Sequence, residues 1–501
     1  MLKTIGVLRI GSSVSGFFLM VLLCLPWAIF AGDYKNETTL LHRVAPGESL
    51  HKIARRYLPL TEAYTTTALI RKIQELNDIP GTLIRVDQYL RIPTVRSTPT
   101  VSIRTPKPKD FEARGIYVNR YSMACRKMTR LHREFTNLRG NTVILDGKDM
   151  SGRLSYPSKV QLAQTIGATS DPLIDDPAKL FHHLQQKGLH VGVRLVLFYD
   201  PLLAKKRPDL AVHSTSTGGL WREKGKIVWV DPSQPTVQRY NLDIAKELAQ
   251  MGVDEIQFDY VRFPAMGNVQ DAAYSFDQEK IPKHQIITSF LSLAYKDLAP
   301  YRILLSIDVF GIAAWGRPED VHITGQKIED LARYCDVISP MIYPSHFYGP
   351  FQSIANPGDH PFLFVSETCQ RTSALLRGTE VTLRPWIQAF PYGTTDFDEA
   401  YVLEELRALH YTRARGWLLW SAGNAYNTAW KALALWNPQP SSQEIPENQS
   451  FSRIEGTASR ERPLRTFSGS ISPHRSQEKT DNCHGILNPA VPDHGKSLVH
   501  R

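Results

Sequence analysis

Residues 254–264 read DEIQFDYVRFP. From Glu255 to Tyr260 the run is strand-like and short, yet it opens on acids and closes on Asp259. An acid in that place either belongs to a structural ion pair or takes part in chemistry, and the kind of sheet decides which. Working outward, similar runs recur: RGIYV (114–118), TVILD (142–146), HVGVRLVLF (190–198), EIQFDY (255–260), RILLSIDVF (302–310), DVISPMIY (336–343), LRPWIQAF (383–390) and GWLLW (416–420). Their apolar continuity fits strands buried on both faces. Helical patterns lie between them at 177–188, 236–252 and 399–410, and Gly188 and Gly252 stand where helices stop. Eight such units in about 320 residues predict an α/β fold, a (βα)8 TIM barrel over residues 111–437, in preference to an open doubly wound sheet. No GxGxxG or Walker-type loop argues otherwise.

In such a barrel the carboxyl ends of the strands form the reacting mouth. The residues placed there are Asp146 and Lys148 (second strand), Asp200 (third), Asp259 (fourth), Asp308 (fifth), Tyr343 and His346 (sixth), Gln388 (seventh), and Trp420 with Asn424 (eighth). Acids and amides bind hydroxyls, and aromatic faces stack on the C–H surfaces of sugars, so the ring suits a polyhydroxylated ligand. Glycosidic cleavage needs an acid for the leaving oxygen and a second carboxyl for the developing positive charge. Neighbouring strands lie about 4.8 Å apart, which allows Asp259 and Asp308 to approach the ~5–5.5 Å separation of retaining enzymes. The expected roles are Asp259 as nucleophile, kept ionised by Arg262, and Asp308 as general acid. The competing reading ties Asp259 to Arg262 or Lys148 and makes Asp308 a cap or salt-bridge residue. No HExxH or compact His and carboxylate cluster occurs, so neither metal nor cofactor is expected.

Residues 42–94 have a different texture. VAPGESLHKIARRY (44–57) begins with a Pro-Gly turn and sets Leu50, Ile53, Ala54 and Tyr57 on one helical stripe. A second stripe follows at Leu69, Ile70, Ile73 and Leu76, and QYLRIP alternates as a closing strand, giving the order strand, helix, helix, strand. The residues Val44, Pro46 to Leu50, Ile53-Ala54, Asn77, Ile79 and Leu90 to Pro93 resemble the LysM family. That resemblance implies binding of N-acetylglucosamine (GlcNAc) polymers, peptidoglycan or chitin, in a shallow groove carried here by Gly47, Glu48, Ser49, Leu50, Asn77, Asp78 and Ile79. The stretch from Tyr57 to Leu69 is longer than the usual pattern.

The phrases GIYV, DGKD, EIQFDYVRFP, DVFG, DVISPMIYPSHF, RPWIQAF and GWLLW, in that order from Arg114 to Asn427, resemble a (βα)8 glycoside-hydrolase family, a domain of unknown function related to α-amylase-like enzymes. By that resemblance the nucleophile ends the fourth strand, Asp259, and the general acid ends the fifth. Asp308 stands there where related barrels usually carry Glu. The remaining mouth residues, Asp146, Lys148, Arg262, Tyr343, His346, Gln388 and Trp420, are then expected to bind substrate.

Lys3 and Arg9 precede an apolar run from Val14 to Ala31, which reads as a cleaved signal peptide or an uncleaved N-terminal membrane anchor over residues 1–31. An exported protein follows, periplasmic, cell-envelope or extracellular. Residues 95–110 read as a Pro- and Ser/Thr-rich linker, and 438–501 as a disordered tail. The formal net charge of +10 favours acidic polymers, but the basic residues are dispersed and no nucleic-acid reader motif occurs, so nucleic acid is not an expected partner. Two function classes remain: a glycoside hydrolase held on wall polymer by its LysM module, and a catalytically inactive barrel that binds cell-wall glycan or serves as a scaffold.

Overall fold

The computed structural model describes residues 38–94 and 111–437. The expected signal or anchor segment, the linker and the tail lie outside the described residues. No described helix is long and apolar enough to cross a membrane.

The small module pairs strands Thr38–Arg43 and Tyr89–Thr94 antiparallel, with helices Leu50–Tyr57 and Thr66–Leu76 between them. Both helices start on a hydroxyl cap: Ser49 accepts from Lys52 N–H and Thr65 from Ala68 N–H, each relieving one of the unpaired amides of a helix start. Leu50, Ile53, Leu69, Ile73, Leu90 and Ile92 form a separate apolar core.

The long stretch between the two helices, together with the first residue of the second, lies against the barrel. Thr66 donates from N–H and Oγ1 to Asp175 Oδ2 at 2.6 and 2.9 Å, Asp176 N–H donates to Tyr64 O at 3.1 Å, and Lys179 Nζ donates to Leu58 O at 2.6 Å. Tyr64 packs on the barrel's own core. The extra residues therefore act as a docking segment.

Eight parallel strands form the barrel: Ala113–Val118, Thr142–Lys148, His190–Val196, Glu255–Asp259, Leu304–Phe310, Val337–Ile342, Trp386–Gln388 and Gly416–Trp420. Leu304–Phe310 pairs with Val337–Ile342, and Gly416–Trp420 returns to Ala113–Val118, so the sheet closes. Gly416 lies at the closure, where a Cβ would fall 2.0 Å from Ala113 O. The seventh strand is shorter than its apolar run. Pro385 has no N–H for the ladder, and residues 382–383 pair separately with the sixth strand.

Along the fourth strand Ile256 and Phe258 join the apolar layer under the helices, while Glu255, Gln257 and Asp259 bond across the barrel interior. The interior is thus polar on this side, while Tyr117, Ile144, Tyr343, Trp386 and Leu418 form an apolar cluster of their own. At its floor, Glu255 is bound by Arg384, by His190 Nε2 at 2.8 Å and by Ser306 Oγ at 2.5 Å. Gln257 reaches Ser339 at mid-height, and the upper layer holds the acids considered next.

Candidate active site

Asp259 ends its strand because Tyr260 adopts φ +53°, a left-handed conformation costly for a residue with a large side chain. The turn directs Tyr260 N–H back onto Asp259 Oδ1 at 2.6 Å. Asp259 Oδ2 accepts from Arg194 Nε at 2.9 Å and Nη2 at 2.6 Å. The third arm of Arg194, Nη1, reaches Asp146 Oδ1 at 2.7 Å, and the Tyr117 hydroxyl donates to the other Asp146 oxygen. Arg194 is 2% exposed and rests against the Trp420 ring, 5.1 Å from its centroid. Trp420 stacks on Tyr117 at 4.1 Å. Strands one, two, three, four and eight therefore meet around one guanidinium.

Asp308 completes the layer. Its Oδ1 accepts Trp386 Nε1–H at 2.8 Å, and the residue is 1% exposed against 4% for Asp259. Burial pushes the Asp308 carboxyl well above the usual carboxylate range, and the charge on Asp259 pushes it further. These effects outweigh the Trp386 hydrogen bond and the attraction of Arg194 and Arg384. Burial and the neighbouring carboxylate thus favour the protonated form of Asp308, beside an Asp259 carboxyl that is bound by a guanidinium. Asp146 is raised to about 6, by burial first, with Arg194 and Tyr117 working against it.

Several expected placements need correction. Asp259 is paired with Arg194, not with Arg262 or Lys148. Arg262 stands between aromatic rings and donates to Phe263 O at 2.9 Å. Lys148 is fully buried outside the interior layer: its ammonium donates to Asp200 at 2.9 Å and to Asn241 at 2.8 Å, because the second strand shifts register between Asp146 and Lys148 and turns the side chain toward the helix Pro235–Gln250. Gln388 is sealed as well. It accepts from Ser345 Oγ at 2.8 Å and donates to Phe390 O and Tyr392 O, so it braces two mouth loops. Asn424 joins strands one and eight through Tyr117 O and Asn119 N–H. Tyr343, His346, Phe390 and Tyr392 form an aromatic wall on the opposite side of the mouth, with Tyr392 exposed.

In the LysM module, Leu50 belongs to the core and Ser49 is the cap. Asn77 fastens the second strand through Arg91, while Glu48 closes the first loop on His42, Ala45 and Arg56. Gly47 and Asp78 are exposed on those loops, and Ile79 is half-buried.

Sequence reasoning missed Arg194 and Tyr117, and it weighed Trp386 as core or as a sugar platform without seeing it as the partner of Asp308. A signal for the first was available: Arg194 is the one Lys, Arg, Asp or Glu inside HVGVRLVLF, and a charge in a strand covered on both faces must find a buried partner.

With this geometry in place, residues 115–426 match the family described as "Putative glycosyl hydrolase domain", and residues 42–93 match the LysM domain. The chain belongs to that glycosyl hydrolase family. No curated protein matches it. Among solved structures, a hypothetical protein from Ruminiclostridium thermocellum ATCC 27405 is similar at 32% identity over 39% of this chain and 97% of its own, with a TM-score of 0.35. The PgaB (BpsB) glycoside hydrolase domain from Bordetella bronchiseptica is 12% identical over 65% of this chain and 100% of its own, TM-score 0.45. A beta-galactosidase from the psychrophilic Marinomonas ef1 is 12% identical over 64% and 58%, TM-score 0.46. Membership rests on the family match.

Proposed function

We propose that the barrel hydrolyses an O-glycosidic bond of a cell-envelope or extracellular polysaccharide, and that the LysM module holds a GlcNAc-containing polymer of the peptidoglycan or chitin type beside it in an exported protein. One observation carries the reading: Asp308, bonded to an indole, and Asp259, ion-paired to Arg194, share one layer at the barrel mouth, with burial favouring the protonated form of Asp308. Asp308 donates its proton to the glycosidic oxygen as the bond breaks. Asp259 attacks the anomeric carbon and forms a glycosyl ester, and the Asp308 carboxylate then takes a proton from the water that cleaves this ester, with retention. Arg194 pairs with Asp259 through two hydrogen bonds and fixes its direction. Three of the roughly four lone-pair sites of a carboxylate are occupied by Arg194 and Tyr260, which leaves about one for the sugar.

A second reading, a silent barrel that binds glycan without cutting it, is favoured by the low exposure of the same two acids. A reducing-end assay on wall and secreted polysaccharides separates the two. Release by the wild type and its loss in Asp259→Asn and Asp308→Asn are the expected results. Equal release by all three proteins removes both assigned roles, and no release by any favours the silent barrel.

A further inference from the structure

Four arginines are buried among the described residues: Arg120, Arg194, Arg262 and Arg384. Three of them meet carboxylates, Arg120 at Asp149 and Asp171, Arg194 at Asp146 and Asp259, and Arg384 at Glu255. Arg262 is 4% exposed and, among the described residues, has no carboxylate within 4.0 Å. Its single hydrogen bond, Nη1 to Phe263 O, uses one of five guanidinium N–H groups. Sealed nitrogens without partners occur at Nε of Arg114, Arg120 and Arg384, and no nitrogen of Arg262 is among them.

The remaining walls are aromatic. The guanidinium carbon lies 4.9 Å from the Trp229 ring centroid, 4.9 Å from Tyr260 and 4.3 Å from Phe310. Tyr260 follows Asp259 directly, and Phe310 comes two residues after Asp308, which puts the box at the same mouth. Glu223 and Asp259 act on Arg262 only from beyond ion-pair range, Glu223 Oε2 accepting Trp229 Nε1–H at 2.9 Å and Asp259 being held by Arg194. Burial disfavours the charge on this guanidinium. A cation so placed, with a planar fork held rigid between rings and most of its donors unused, is set for an anion that arrives with the ligand.

We propose that Arg262 is the anion subsite of the barrel and that the glycan it receives carries a carboxylate on the sugar next to the scissile bond. This inference rests on the reading of the barrel mouth as a glycan site. Two sources share the chemistry: a uronic acid, and a sugar bearing a carboxylic ether such as muramic acid.

The test is calorimetric binding to the full chain in the Asp308→Asn background, where turnover does not interfere. The probes are a galacturonic acid trisaccharide and its methyl ester, and a muramic acid–GlcNAc disaccharide alongside chitobiose. The acid form of one pair is expected to bind about tenfold or more tighter than its neutral counterpart. That preference is expected to vanish in Arg262→Met and to survive in reduced form in Arg262→Lys, which keeps the charge without the fork. Equal affinity within both pairs overturns the proposal, as does a preference that persists in Arg262→Met with an unchanged melting temperature. If Arg262→Met fails to fold, Arg262→Lys decides: an undiminished preference places the anion elsewhere. The readout needs no catalysis, so an acid preference without hydrolysis refutes only the hydrolytic reading, and hydrolysis without an acid preference refutes only the subsite.

Discussion

Glu255 and Asp259 lie four residues apart on one strand, both inside the barrel, both buried and both bound by an arginine from elsewhere in the barrel. At the floor, Glu255 is saturated: the attraction and hydrogen bonds of Arg384 and His190 overcome burial and hold its carboxyl well below the usual range. At the mouth, Arg194 is divided between Asp146 and Asp259, and Asp308 has an indole for a partner where Glu255 has a guanidinium. The floor contains matched charge; the mouth contains more acid than base. Matched charge fastens the structure, and unmatched acid is what the proposed proton donor requires.

The sharpest way to break this contrast is at Asp308. Asp308→Asn is expected to lower kcat by roughly 10²–10⁴ on whichever glycan the assay identifies, since a positioned general acid contributes about that much. The amide replaces a group whose neutral form burial favours, so the melting temperature at neutral pH is expected to stay level or rise. A large loss of stability would show that Asp308 is a structural anion like Glu255.

The mirror experiment is Arg384→Leu. Removing one partner of a buried pair typically costs about 3–5 kcal/mol, and a fall in denaturant midpoint is the expected result, with kcat per folded molecule retained. The two ends should also differ in sign with pH. Glu255 has a depressed folded value, so its stabilisation is present above the ordinary Glu value of about 4.3 and is lost on acidification below it. Asp308 has a raised folded value. Its contribution is complete below the ordinary Asp value of about 3.9 and is lost as pH climbs through the folded value. Melting curves across pH should therefore show the alkaline decline weakened in Asp308→Asn and the acid decline weakened in Arg384→Leu.

The smallest effect is expected from Trp386→Phe. Its indole N–H favours the charged form of Asp308, and removing that bond raises the acid further. The alkaline limb of the pH–rate profile should move to higher pH, with only a several-fold change in rate at the optimum, about 1 kcal/mol for one hydrogen bond. An unmoved limb would remove Asp308 as the acid.

Much of this architecture was legible in the sequence because burial on both faces leaves unbroken apolar runs, and eight of them in alternation with helices leave few other folds. The ends of strands four and five also marked Asp259 and Asp308 as mouth residues. Side-chain partnership was not legible. Arg194, Arg384 and His190 reach acids on other strands, and distance along the chain carries no trace of that contact. Lys148 was misplaced for a local reason: a register shift between Asp146 and Lys148 turns it to the helix side, where Asp200 and Asn241 receive it.

The docking segment between the two LysM helices has a further consequence. A module swinging on a loose cord would let the barrel strike anywhere within reach of the anchorage. A module buttoned to the barrel through Tyr64, Thr66, Asp175 and Lys179 would make the chain a caliper, imposing one stride on a polymer if both sites grip it as proposed.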